Sequence, residues 1–467
     1  MLILSNSFIF YGLGYSALNN FFHAESYLGL FTLGNALLHA VVSIVVHRQK
    51  LYDRNLFYMV AGLALIFITI AIPVQLDGNW VTLLWAGESA LLFWIGRNRQ
   101  VGFYEKLSYG LMLLAFTSMA GDWTTMSTLY NIELEATRIT PFFHISFLTS
   151  LLSIGCFVFI LMTHRKSKNI GIENKVDPFR DLVNFLLPAV LLVSIYFTFR
   201  MEIATYWNQL YADSAKTSTV EGQDYLNYYW NEDYHFFKVI WIINYSLFFF
   251  TVLILFAGKY IRERSFHIVI TGLACVTIIA FLSQGLYILS ELRDHYIDPI
   301  STSYPKISLS IWIRYISYVF AAGMLFALHQ YLRTTFQNKD KFKVHVAYDI
   351  LLHVTILWVA SSELITLMKL MQSNQSNKLG LSILWGVYAL LLIALGIWKN
   401  KKYLRIGAII LFAVTLVKLV VYDLTQLDTI SKTIVFVSLG LLLLIISFLY
   451  NKYKHLTNPD LPQEGVQ

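Results

Sequence analysis

The chain has 467 residues, of which 57% are hydrophobic, 16% aromatic and only 13% charged, with a mean hydropathy of +0.58 and a formal net charge of +7. A soluble globular domain carries roughly 25% charged residues, so the composition excludes a water-soluble fold and indicates a membrane protein. Lysine and arginine form no patch or stripe of the kind that binds nucleic acid, so that partner is excluded too.

Apolar runs of about 17 to 25 residues can cross a hydrocarbon core about 30 Å thick. Such runs fall at 1–18, 27–46, 56–72, 80–96, 107–121, 141–162, 182–199, 236–257, 266–289, 309–330, 346–368, 379–397, 404–422 and 433–450. They predict an all-α fold, a polytopic transmembrane helix bundle of about 14 spans. The first run is diluted by Ser5, Asn6 and Ser7 and by Asn19 and Asn20. It also lacks the basic start and small-residue cleavage site of a signal peptide.

Basic runs follow every second span: "HRQKLYDR" (47–54), "RNRQVGFYEK" (97–106), "HRKSKNIGIENKVDPFR" (164–180), "KYIRER" (259–264), 331–343, "KNKKYLR" (399–405) and "NKYK" (451–454). They hold 24 of the 35 lysines and arginines, whereas the intervening loops are acidic. The positive-inside rule places the basic runs, and with them both termini, in the cytoplasm. Serial helical hairpins in an inner membrane generate this pattern. Cys156 and Cys275 each fall inside an apolar run, with no metal or disulfide spacing.

Within the spans, ionisable residues are the candidates for chemistry, because they are expensive in lipid. Glu88 lies about 12 Å of helix rise from either end of its span. It is neutral, paired with a cation from another helix, or in contact with a wet cavity. Glu88 is expected to face the interior and to hold helices together. Arg314, Glu363 and Lys418 each lie a few residues inside the outer end of a span, so Arg314–Glu363 and Lys418–Asp423 are candidate charge pairs; Lys418 has snorkelling as its alternative. Asn35, His39, Asn244, Gln284, His329 and His353 occur singly and are read as interhelical hydrogen bonds.

The segment 200–235 is rich in Tyr, Trp and acids and has no spanning run. Short amphipathic helices on the outer face are expected there, with the aromatic residues as interfacial anchors; a sugar-binding platform is the alternative.

One internal echo stands out. "LWAGESALLFWIG" (84–96) aligns with "LWGVYALLLIALG" (384–396), and each is followed by a basic loop and a helix with an early glycine, Gly110 or Gly407. The second helix of each pair ends at an acid, Asp122 or Asp423.

The C-terminal run 405–454 resembles the closing hairpin of a large bacterial family of multi-pass membrane proteins, domain-of-unknown-function family 2339. The resemblance is carried by Arg405 and Gly407 opening a helix that ends in Lys418 and Asp423, and by Ser447 and Tyr450 closing the next. "AIPVQLDGNWVTLLWAGESALLFWIG" (71–96) resembles a second signature, with its Leu-x-Gly turn and two tryptophans. The likeness is strongest over 56–123 and 379–454, and members are often longer at the N-terminus. It implies a helical membrane fold and a bacterial inner-membrane address, but no reaction.

The chain has no G-x-x-x-x-G-K-[ST], H-E-x-x-H, G-x-S-x-G or C-a-a-X motif. No cofactor or metal is expected. Two classes of function remain, with membrane lipids and a lipid-linked or saccharide ligand as partners. One is a non-enzymatic envelope protein, either carrier or scaffold. The other is a polytopic glycosyltransferase with a lipid-linked donor and outer acids, of which Glu25, Glu133 and Glu135 are the candidates.

Overall fold

The structure, a computed structural model, describes residues 2–21, 25–48, 54–126, 130, 137–168, 178–219, 226–260, 264–299, 304–335, 339–371 and 377–419, with scattered residues from 421 to 448. The chain forms two compact units, Met1–Trp230 and Asn231–Gln467.

The first unit holds α1 (Leu2–Ser16), α2 (Leu28–Arg48), α3 (Arg54–Gln75), α4 (Asn79–Asn98), α5 (Gly102–Met126), α6 (Ile145–Lys168) and α7 (Pro178–Asp213). An antiparallel hairpin of β1 (Lys216–Thr219) and β2 (Leu226–Tyr229) follows, with Lys216 opposite Tyr229. Its main core lies between α4, α5, α6 and α7, where Ala86, Phe93, Met112, Ala115, Met119, Phe157 and Ile160 are buried. The second unit holds α8 (Glu232–Tyr260), α9 (Arg264–Ala280), α10 (Leu286–Ile297), α11 (Leu309–Thr335), α12 (Lys339–Leu370), α13 (Asn377–Trp398) and α14 (Lys402–Lys418). A π-helical turn, Phe281–Gly285, joins α9 to α10 without a break. A Cβ at Gly285 would lie 2.9 Å from the Phe281 ring, so a larger residue there would have to displace that ring.

Every expected span up to 404–422 contains a helix; most of 433–450 lies outside the described residues. Among the described residues nine helices are long and apolar enough to cross a membrane by length and composition, α9 and α10 counting as one. Helices close their own backbone hydrogen bonds, which is what lipid demands of a spanning segment. Exposed side chains such as Leu30, Leu37, Val319 and Phe326 suit an apolar surrounding. Helices α4 and α5 fall outside the nine because they are more polar, and they turn that polarity toward each other. The Ser89 hydroxyl donates to the Ser108 carbonyl at 2.8 Å, and the Thr82 and Ser118 hydroxyls meet at 2.8 Å.

The α4–α5 and α13–α14 hairpins share one construction. Gln100 and Asn400 both take positive φ, 55° and 49°. In both turns the amide five residues beyond the helix-closing glycine returns to it, Val101 to Gly96 and Lys401 to Gly396, each at 2.9 Å. Trp85 donates its indole N–H to the Thr69 carbonyl of α3, and Trp385 donates to the Ser361 hydroxyl of α12. The pair Thr82–Ser118 has its counterpart in Ser382, which accepts from Lys418 Nζ at 2.9 Å. The two hairpins therefore match in turn, tryptophan and cross-helix contact as well as in sequence. Lys401 also donates to Asp349 of α12, which accepts from Tyr403 as well. Burial opposes the Lys401 charge, yet these partners hold its ammonium above the ordinary lysine value.

The segment 200–235 departs from expectation. In place of short surface helices, α7 runs on unbroken to Asp213, and the β-hairpin follows. No glycine or proline interrupts residues 189–213, and the extension has a face to bury: Glu202, Ala204, Thr205 and Gln209 are all under 9% exposed. Arg138 and Tyr130 hold the carboxylate of Asp213 at its end.

Candidate functional site

Glu88 sits between α4 and α3. Its Oε1 accepts from the Thr69 hydroxyl at 3.0 Å, while Oε2 is buried without a partner. Among the described residues it forms no ion pair. Lys418 bonds Ser382, and Asp423, its proposed mate, lies outside the described residues, as do Glu133 and Glu135. Glu25 opens a short 3-10 turn, Glu25–Tyr27, ahead of α2. Two of the single polar residues make the expected interhelical bonds, His39 to Ser7 and His353 to Tyr388, while Asn35 bonds the Phe31 carbonyl of its own helix. Asn244 makes no such bond. It is fully buried with both amide atoms unpartnered, which corrects the expectation of a satisfied hydrogen bond.

The structure does bring Arg314 and Glu363 together, in the second unit, at the end where α8 and α11 begin and α10 and α12 finish. Arg314 Nη1 stands 3.5 Å from Glu363 Oε2. Arg314 is 0% exposed; Nη2 donates to the Leu289 carbonyl at 3.1 Å, while Nε and Nη1 make no hydrogen bond. Glu363 is held mainly by phenols, accepting from Tyr315 at 2.8 Å and Tyr318 at 3.2 Å.

A second buried arginine, which the sequence reading missed, lies at the same end of this unit. Arg293, on α10, is 2% exposed and grips Asp294 through Nε and Nη2 at 2.8 and 3.0 Å, with Nη1 donating to Thr366. Lys369 donates to the same Asp294 at 2.7 Å. Arg293, Arg314 and Lys369 thus face Glu363 and Asp294, three cations against two carboxylates. With Asp294 engaged twice, Arg314 is the under-partnered member. A bidentate or charge-assisted bond would bring nitrogen and oxygen to about 2.7–2.9 Å, well inside the observed 3.5 Å. Arg405, opening α14, is also buried with Nε and Nη1 unpartnered.

The first unit has a polar cluster of its own. Glu202 of α7, 3% exposed, accepts from the Phe142 amide at 2.9 Å and lies 2.8 Å from His144 Nε2. The Phe147 amide donates to His144 Nδ1, which leaves the ring proton on Nε2, toward the carboxylate. A cavity of about 230 Å³, counting its open mouth, is lined by Asp122, Trp123, Ser150, Thr198 and Glu202 among others. Its enclosed part has room for about one water. Thr82 donates to Asp122 at 2.6 Å. Neither Glu202 nor His144 stands out in the sequence, since 58 positions separate them and nothing local links them. Among the described residues no group of three or more His, Cys, Asp or Glu is placed to hold a metal ion.

The family model described as predicted membrane protein (DUF2339) matches residues 3–453, reaching through the stretch between the two signatures. No curated protein and no solved structure matches the chain. By the extent of that match, the chain belongs to the DUF2339 family of predicted membrane proteins.

Proposed function

We propose that this protein is a non-enzymatic carrier of the bacterial inner membrane, with both termini in the cytoplasm and its ligand site at the Arg314 end of the second unit. One observation carries the reading: a fully buried guanidinium whose Nε and Nη1 make no hydrogen bond, with Glu363 only 3.5 Å away as an ion-pair partner. A bundle that had only to hold its helices together gains nothing from it, because packed apolar residues in place of a buried ionic group are often neutral or stabilising. The matched α4–α5 and α13–α14 hairpins add support, since internal repeats are common in transporter folds. Membrane lipids and a lipid-linked or saccharide ligand are the partners this reading admits.

The glycosyltransferase reading has one observation in its favour, the carboxylates of Asp122 and Glu202 lining one cavity; in its present form that cavity is too tight for a sugar. The test is to identify lipids and small molecules that co-purify with the full chain, then follow them in proteoliposomes. A carrier exchanges the ligand unchanged and loses exchange on Arg314→Gln. Chemical transfer of a lipid-linked sugar, lost on Asp122→Asn or Glu202→Gln, would select the enzyme.

Topology is a separate expectation, resting on the alternating basic runs. Reporter fusions at 170, 340 and 400 should read cytoplasmic, and fusions at 215 and 300 should read outside. The same side at 170 and 215 would overturn the placement.

A further inference from the structure

Several buried polar atoms of the second unit that make no hydrogen bond lie on α8 and α11. Arg314 contributes Nε and Nη1, and Ser310, one turn earlier on α11 and 1% exposed, contributes a hydroxyl. Helix α8 packs against α11 and adds Trp241 Nε1 and the side chain of Asn244. All four side chains carry N–H or O–H donors, and arginine and tryptophan cannot accept at all. A buried donor left unmet costs about 1–3 kcal/mol, more when charged, so a donor-rich, cationic cluster has an acceptor-only, anionic complement. A cation is excluded by charge. A neutral hydroxyl is a poorer match, because it leaves the excess positive charge uncompensated.

An anion is already present in part. Glu363 lies on the exposed side of Arg314, 22% exposed against 0%, beside Tyr315 at 42%. Its carboxylate is fixed by the two phenols and stops 3.5 Å short of the guanidinium. It therefore neutralises Arg314 at a distance without satisfying its N–H groups. A free carboxylate or phosphate, not tethered to α12, can close that gap and use both arginine edges in the fork geometry that guanidinium favours.

We propose that the Arg314 end of the second unit is an anion-binding site whose built-in occupant is Glu363, displaced when a carboxylate or phosphate group of the ligand takes Arg314. The proposal rests on the carrier reading for its biological sense but not for its test, since binding and exchange are measured separately. Two sources share this chemistry, a free anion and the phosphodiester of a lipid headgroup.

The experiment uses the full chain in phosphatidylcholine nanodiscs, with inorganic phosphate or acetate added in one arm and phosphatidylglycerol doped into the bilayer in the other. Binding is followed by native mass spectrometry and by the shift in melting temperature. Glu363→Gln removes the competing charge while leaving an acceptor for Tyr315, so it is expected to tighten binding about tenfold. Arg314→Gln is expected to abolish binding, and Ser310→Ala to weaken it a few-fold. Tightening with phosphate or acetate identifies a free-anion site, and tightening only with phosphatidylglycerol a headgroup site. If Arg314→Gln fails to fold, the opposite-signed Glu363→Gln result still decides. No binding in either arm, or weaker or unchanged binding in Glu363→Gln, overturns the proposal. Binding that behaves as expected without exchange across proteoliposomes sinks the carrier reading alone.

Discussion

Glu202→Ala is expected to destabilise the first unit by about 3 kcal/mol, the largest single loss anticipated from a polar side chain there. The carboxylate is 3% exposed and is shared by two donors, the Phe142 amide and the Nε2–H of His144, at 2.9 and 2.8 Å. Hydrogen bonds to a charged acceptor contribute about 1.5–3 kcal/mol each, and a donor left buried carries its own desolvation penalty. Alanine removes both bonds and opens a void beside Phe142, whose φ of 64° is already an unusual conformation for a bulky residue. Glutamine should recover about half of the loss. Its single oxygen serves one donor, and its amide then faces the other, because turning the His144 ring proton to Nδ1 would forfeit the bond from Phe147. The measurement is the melting temperature of each variant in one detergent. Equal losses for alanine and glutamine would mean that side-chain shape contributes nothing here and that both donors require the carboxylate; a loss under about 0.5 kcal/mol for alanine would mean that Glu202 is no anchor.

Glu202 also marks where sequence reasoning runs out. Hydropathy runs locate helices because the length needed to cross a bilayer and the apolar surface needed to face it are both written along the chain. The same rule truncates them. The ninth run stops at 289 because Glu291, Arg293 and Asp294 end the apolar stretch, yet α10 continues to Ile297 and buries Arg293 through its grip on Asp294 and Thr366. A charge is admitted to a buried position when partners arrive from elsewhere in the fold, and partners 73 positions away, as for Arg293 and Thr366, leave no local trace. Arg314 and Glu363 were legible because both interrupt clear apolar runs at similar depth. For the hairpin after α7 a signal did exist in the sequence: Thr217 and Thr219 on one side of a glycine, Gly222, and Tyr228 and Tyr229 on the other, a β-prone pattern. Aromatic residues also suit a membrane interface, so this pattern alone does not select a strand.

The repeated hairpin allows a prediction that separates close packing from helix propensity. At Gly96 an added Cβ would lie 2.8 Å from the backbone nitrogen of Glu105, and at Gly396 it would lie 2.7 Å from Arg405 Cγ and 3.0 Å from the Arg405 nitrogen. Backbone of the facing helix cannot step aside locally, so alanine at either position must spread the two helices. Overpacking of this kind costs about 1–3 kcal/mol. Gly110 and Gly407, in the second helix of each hairpin, have nothing within 4 Å of the same added atom. There alanine removes unfolded-state freedom without a clash and is expected to be neutral or to stabilise by about 0.4–1 kcal/mol. Gly96→Ala and Gly396→Ala should therefore lower the melting temperature together, while Gly110→Ala and Gly407→Ala leave it unchanged or raise it. Arg405 is buried with two unpartnered N–H groups, so Gly396→Ala has a flexible side chain to push as well as backbone; its loss should be the smaller of the two. If all four substitutions behave alike, the shared turn is a coincidence of sequence and the glycines are not what brings the helices together. If only the Gly96 and Gly396 variants fail, the two hairpins are held by the same contact, 300 positions apart in the chain.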